Sequence, residues 1–245
     1  PKTQLMRTAE LETTMAASLN RSAFFDRVRA APFGGRLSAS QVAGIEAILD
    51  ACPAMLGLAS LAYCLATTFH ETARTMKPIE EYGRGKGRTY GPTGFWGRGF
   101  VQLTWEANYA KATAALRKLG VLTAAEDLVK TPALAMRPDV AAAILFYGMV
   151  EGWFTGKKLA DYFGPGRNDP VGARRIINGT DKAATIAGYH ATFVDALTAG
   201  GYAAIPAAAP AKTAPATPAV IVPPAADAGF WARVHALLSR KTKVA

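Results

Sequence analysis

Residues 56–73 read LGLASLAYCLATTFHETA, and the fold turns on how this stretch is interpreted. It is apolar on nearly every side until His70. A helix that is apolar all round belongs in a core, because no face of it gains from meeting water. The stretch therefore predicts a helix running through the middle of the domain and holding Glu71 rigidly at its far end, where core gives way to cleft. Two further acids, Glu80 and Glu81, follow shortly after. Behind them comes a loop with glycines at 83, 85, 87, 91, 94, 97 and 99, then the tail Gly99-Phe100-Val101-Gln102-Leu103-Thr104-Trp105. Glycine tolerates positive φ and close backbone approach, which suits a loop against which an extended polymer lies.

Working outward, residues 4–18 and 22–31 read as helices, the second with Phe24, Phe25 and Val28 on one face. Ser38 with Gln41 three residues on is a capping box, and Val42, Ile45, Ile48 and Leu49 form the stripe behind it. Residues 105–119 are predicted helical, with Gly120 as C-cap. Pro138 opens a helix that runs toward Trp153-Phe154. Short helical turns are expected at 159–163 and 170–177, and Asp181 is expected to N-cap a last helix ending near Ala199. About eight helices and little strand make the domain, residues 1–203, mainly α. Short strands flanking the glycine loop are expected without assigned positions. From 204 to 226 the chain is Ala, Pro, Thr and Val with a single charge, Lys212, the composition of a semi-extended linker. Residues 227–245 read as a short amphipathic helix, with Phe230, Trp231, Val234, Leu237 and Leu238 opposite Arg233, Arg240, Lys241 and Lys243.

Half of the 245 residues are apolar and 19% are charged, enough to bury a core and too little charge for a disordered chain. The formal charge of +10 points to an anionic partner. That charge is spread along the chain without a nucleic-acid-binding fingerprint, so a cell-wall polymer or membrane surface is preferred to nucleic acid. Cys52 and Cys64 stand in apolar surroundings without metal-ligand spacing and are expected reduced and buried, a disulfide between them being left open. Residues 1–25 have no apolar signal-peptide core, and no stretch reaches the ~18 apolar residues of a membrane span.

His70-Glu71-Thr72-Ala73-Arg74 resembles half a zinc-protease helix, but Arg74 stands where the second histidine is needed, so no metal is expected. The glycine loop lacks the Gly-Lys-Ser/Thr of a phosphate-binding loop, and no cofactor is expected. There is no Gly-x-Ser-x-Gly, and no histidine accompanies either cysteine. What remains is acid chemistry. Glu71 follows a long apolar run, an environment that favours the protonated form a general acid needs. Glu80 and Glu81 read equally as a solvated pair or as cleft lining. Two carboxylates kept in different environments across a cleft are the equipment of glycoside hydrolysis.

Several separated segments then resemble one family. Phe69-His70-Glu71-Thr72-Ala73, Met76-Lys77-Pro78-Ile79-Glu80-Glu81-Tyr82-Gly83 and Gly97-Arg98-Gly99-Phe100-Val101-Gln102-Leu103-Thr104-Trp105-Glu106-Ala107-Asn108-Tyr109 look like glycoside hydrolase family 19, the chitinase family with a bacteriophage endolysin branch. Arg174-Arg175-Ile176-Ile177-Asn178-Gly179, the Phe24-Phe25-Asp26 start and Glu151-Gly152-Trp153-Phe154 extend the similarity over roughly residues 20–200.

The resemblance implies a lysozyme-like, two-lobed helical domain and a metal-free inverting mechanism. Glu71 matches the family's general acid. Glu81 is taken as the general base, with Glu80 as the alternative, and Thr104 as the residue holding the attacking water. Gln102, Asn108 and Asn178 match sugar-binding or site-orienting positions, and His70 and Tyr90 are further substrate-binding candidates. The disulfide-bearing insertion of plant members is missing, which implies a shorter, more open cleft and disfavours crystalline chitin. Plant members also use an arginine late in the chain, for which residues 189–199 offer no equivalent. The expected activity is hydrolysis of peptidoglycan β-1,4 bonds by a monomer made in a host bacterial cytoplasm and acting on the periplasmic wall. Residues 227–245 are expected to meet anionic membrane or lipopolysaccharide. The alternatives are a chitinase acting on chitin oligomers and a non-catalytic wall-binding module.

Overall fold

A computed structural model describes residues 19–203. The predicted helix at 4–18, the linker at 204–226 and the amphipathic helix at 227–245 lie outside the described residues. Within them, six α-helices are present: α1 (Arg21–Ala30), α2 (Ala39–Asp50), α3 (Leu58–Glu71), α4 (Glu106–Lys118), α5 (Pro138–Glu151) and α6 (Ala183–Ala199). Two hairpins complete them, β1 (Ile79–Glu80) with β2 (Arg98–Gly99) and β3 (Phe163–Gly164) with β4 (Arg167–Asn168), both antiparallel. The expected turns at 159–163 and 170–177 are 3₁₀ segments at Leu159–Asp161 and Gly172–Ile176. The fold is mainly α.

Helix α3 is the central one. Every residue from Ser60 to Phe69 is buried, and it packs along α6, which in turn packs on α1. Helix α5 is similarly enclosed from Val140 to Met149, against α2, α4 and the 3₁₀ turn Pro132–Met136. Each large apolar side chain taken from water in this way contributes about 1.5–3 kcal/mol before entropy is set against it. Phe69 fixes the last turn of α3 most firmly. Its ring meets those of Phe33 and Tyr189 edge-on, at 5.0 and 4.8 Å between centroids, and Phe193 at 6.2 Å. The residue two positions before Glu71 is therefore locked by three aromatic neighbours.

Local chemistry sets the helix ends. Ser38 and Gln41 form the expected capping box, and Gln41 Nε2 also donates to the Arg74 carbonyl, tying α2 to the turn after α3. Helix α4 closes in a Schellman turn: Gly120 at φ +71 donates to Arg117 and Val121 to Leu116. Asp181 does not cap α6 with its side chain. Lys182, at φ +58, occupies the cap position without a side-chain bond, and the Asp181 carbonyl instead accepts from Arg174 Nε. Both cysteines are free. Cys64 lies buried with its sulfur 3.8 Å from Met149 Sδ, and Cys52 meets the Tyr202 hydroxyl at 3.6 Å. No helix among the described residues is long and apolar enough to cross a membrane.

Candidate active site

Helix α3, the β1–β2 hairpin, the loop between its strands and the segment ending at Asn178 together enclose a cleft of about 600 Å³. Glu71, Glu81, Tyr90, Gln102, Thr104, Asn108 and Asn178 all line it. His70 does not. Neighbouring residues on a helix diverge by about 100°, so when Glu71 faces the cleft His70 turns aside. Burial holds the His70 imidazole below its ordinary range; Glu71 pulls it the other way, and Arg174 adds to the depression.

The apolar setting expected for Glu71 is interrupted by a cation that the sequence did not reveal. Arg174 Nη1 donates to Glu71 Oε1 at 2.5 Å, with the arginine side chain only 5% exposed. The 3₁₀ turn Gly172–Ile176 delivers this guanidinium, and its Nε is engaged by the Asp181 carbonyl. The arginine sought between residues 189 and 199 is thus absent there, while a buried one reaches the acid from position 174. Its signal was present in Arg174-Arg175-Ile176, but nothing local distinguishes the buried arginine from its exposed neighbour Arg175.

Glu81 is held differently, by neutral donors alone. The Tyr90 hydroxyl donates to Oε1 and the Gly97 N–H to Oε2, both at 3.0 Å. The Glu81 N–H in turn donates to the Gly97 carbonyl, so the backbone that carries the carboxylate is pinned as well. Glu80 is turned out of the cleft by the strand alternation of β1. It bridges Arg84 and Arg98, each at 3.0 Å. Burial alone would raise the Glu80 carboxyl. The Trp96 indole, which closes no hydrogen bond of ordinary geometry, and the Arg98 and Arg84 guanidinia bring it below the usual carboxylate range.

The remaining residues divide between lining and bracing. Gln102, at φ +55, donates from Nε2 to the carbonyls of Ile79 and Gly99, stitching the hairpin to the tail behind it. Asn108 Nδ2 donates to the Thr104 carbonyl, and Asn178 Oδ1 accepts from the Gly179 N–H. Trp105, at φ +70 and 46% exposed, lies edge-on to Tyr90 and also borders a shallower groove with Thr93, Glu106, Ala107 and Ala110. Positive φ at non-glycine residues costs energy; Gln102 and Trp105 show it in the cleft lining, and Ala73, Arg74, Met76, Arg84 and Lys182 show it outside that lining. Arg88, Tyr82, Phe154 and Ile177 line the cleft without having been anticipated.

The chemistry this arrangement offers is that of two carboxylates in unlike settings, one against a buried guanidinium and one against a phenol and an amide. Cys52, whose thiol burial pushes up to about 12, and Cys64, raised well above its ordinary value by the same cause, are not nucleophiles at neutral pH. Among the described residues no group of three or more His, Cys, Asp and Glu side chains is placed to hold a metal. No family model, curated protein or solved structure matches this chain.

Proposed function

We propose that the protein is a glycoside hydrolase that cleaves β-1,4 bonds of peptidoglycan by an inverting, two-carboxylate mechanism, as an endolysin does. The observation that carries this reading is the pairing of Glu71 and Glu81 in one cleft under different electrostatic control. Glu71 gives its proton to the glycosidic oxygen, and the carboxylate left behind is met by Arg174. Glu81, aimed by Tyr90 and Gly97, takes a proton from the water that attacks the anomeric carbon, and Thr104 helps to hold that water. Bulk solvent then returns one proton to Glu71 and removes one from Glu81, so the cycle closes. Gln102, Asn108 and Asn178 supply polar contacts to the sugars, and the exposed face of Trp105 supplies an apolar one.

A helical body with a small hairpin and glycine loop beside the cleft fits the lysozyme-like, two-lobed arrangement that membership of glycoside hydrolase family 19 implies. Inversion requires room for a water between the carboxyls, roughly 6.5–9.5 Å. Mass spectrometry of purified peptidoglycan digested by the full chain tests the reading. Disaccharide-peptide products with new reducing ends support it. An intact glycan, or cleavage confined to the peptides, overturns it. Parallel digestion of chitin oligomers separates a chitinase from a wall hydrolase.

A further inference from the structure

Two cations line the cleft, Arg174 and Arg88, and only the first is committed. The other arginines beside the site are also occupied: Arg84 and Arg98 both bind Glu80. Arg88 is exposed and has no carboxylate partner among the described residues. Its loop is nevertheless braced. The Arg88 N–H donates to Gly85 and its carbonyl accepts from Gly91, in successive turns. Gly85 and Gly91 touch so closely that a Cβ on Gly91 would lie 2.2 Å from the Gly85 carbonyl, and one on Gly85 would meet the Tyr90 ring at 2.9 Å. Tyr90 is anchored at its far end on Glu81. The loop thus delivers Arg88 and Tyr90 to the same wall. The charge of Arg88 is felt at Tyr90, where it opposes the rise that burial and Glu81 impose on the phenol.

We propose that Arg88 is a specificity-determining residue that binds a carboxylate borne by the glycan, and so selects an acid-substituted amino-sugar polymer over a neutral one. This rests on the glycosidase reading and names the substrate class of its cleft. The charges of the lining argue for it. Arg174 is committed to Glu71 and Glu81 is held by neutral donors, so Arg88 is a lining cation that no carboxylate among the described residues occupies, open to one brought by the substrate. A guanidinium fork fits a carboxylate in two-point contact, and a chitin chain offers no such group. In peptidoglycan the carboxylate comes from the acidic stem peptide, or from the lactyl ether where the peptide has been removed.

The test compares the full chain with Arg88→Gln and Arg88→Lys on soluble peptidoglycan fragments in three forms: native, stripped of peptide by an amidase, and with all carboxylates converted to amides. Both kcat/KM and equilibrium binding are measured. Arg88→Gln is expected to lower the ratio of native to amidated kcat/KM roughly tenfold, the scale of one charge-assisted contact, with partial recovery in Arg88→Lys. A ratio lost on native but kept on stripped fragments assigns the contact to the stem peptide, and the reverse assigns it to the lactyl group. Ratios to the amidated form that stay unchanged on both native and stripped fragments overturn the proposal, and so does an equal loss on all three forms, which would mean that Arg88 acts through Glu81. Should the parent cleave none of the three, the glycosidase reading fails. Binding then decides Arg88 separately, with weaker native binding by Arg88→Gln supporting it and equal or absent binding overturning it.

Discussion

Arg174 reaches across 103 residues of sequence to place a guanidinium nitrogen 2.5 Å from the Glu71 carboxylate, at the end of the most buried helix in the domain. The contact joins the core helix to the 3₁₀ turn before Asn178, so on the proposed mechanism it serves both fold and chemistry. Removing one partner of a buried pair leaves the other charge uncompensated, which costs about 3–5 kcal/mol in comparable cases. Arg174→Gln should therefore lower thermal stability markedly and kcat by at least tenfold. Arg174→Lys keeps the charge but cannot serve both Glu71 and the Asp181 carbonyl, so it should recover stability better than activity. Melting curves and initial rates on peptidoglycan check both.

The neighbouring acids separate cleanly. Glu81→Gln should reduce kcat by at least a hundredfold with the fold intact, because the proposed base is gone while the amide oxygen still accepts from the Gly97 N–H and the amide NH2 can donate to the Tyr90 hydroxyl. Glu80→Gln should spare most activity. It leaves the buried Arg98 with neutral acceptors, the Gly94 carbonyl and the Tyr109 hydroxyl, and should cost about 1–3 kcal/mol of stability. The Glu80 carboxyl lies below its unfolded value, so its stabilisation is present above the ordinary carboxylate range and is lost as pH falls through the lowered one. The reverse ranking of the two variants in activity would move the base to Glu80.

Much of this was legible in the sequence where the determinants are local. The Ser38–Gln41 box, the glycine after α4 and the apolar run of α3 each act within a few residues, and the structure has all three. The short strands flanking the glycine loop were expected and are present, but their positions escaped because two residues have too little pattern to show a period, and their pairing joins Ile79 to Gly99 across the whole glycine loop. Arg174 escaped for the same reason at longer range. Asp181 misled because its carbonyl is claimed by that arginine while Lys182 takes the cap position. The glycines of the loop serve turns and the Gly85–Gly91 contact, a role that composition alone does not separate from room for a polymer.

Two helix glycines should respond in opposite directions. An added Cβ at Gly44 in α2 would lie 1.7 Å from the Met76 carbonyl, with backbone on both sides and no flexible group to yield. Gly44→Ala should force α2 away from the turn after Glu71, costing about 1–3 kcal/mol or more, with activity reduced as well. Gly188 in α6 meets nothing within 4 Å, so Gly188→Ala should stabilise by about 0.5–1 kcal/mol. Chemical denaturation of both variants measures the contrast.

His190 predicts how stability follows pH. Its ring is buried against Phe163 at 5.4 Å, and Nε2 meets the Ala59 carbonyl at 3.1 Å, which makes Nε2 the protonated nitrogen of a neutral imidazole. Burial holds it below its ordinary value, with the Ala59 bond opposing. The unfolded chain therefore binds the extra proton first as pH falls. Stability is full above the unfolded value near 6.5, and declines as pH drops from there through the lowered folded one. Thermal melts from pH 7.5 to 5 should show that decline, and His190→Gln should lessen it while lowering stability throughout, leaving the part due to His70, which burial also holds below its ordinary range.

The most direct test of the two-carboxylate mechanism is the release of new reducing ends from purified peptidoglycan by the full chain and by Glu71→Gln at equal concentration. The parent should release them steadily. The variant, still folded and still bound to the wall, should do so at least a hundredfold more slowly, because the shape is kept and the proton donor is gone. A variant within about threefold of the parent, or a parent that releases none, would contradict the assignment of Glu71 as the acid of a wall-cleaving glycosidase.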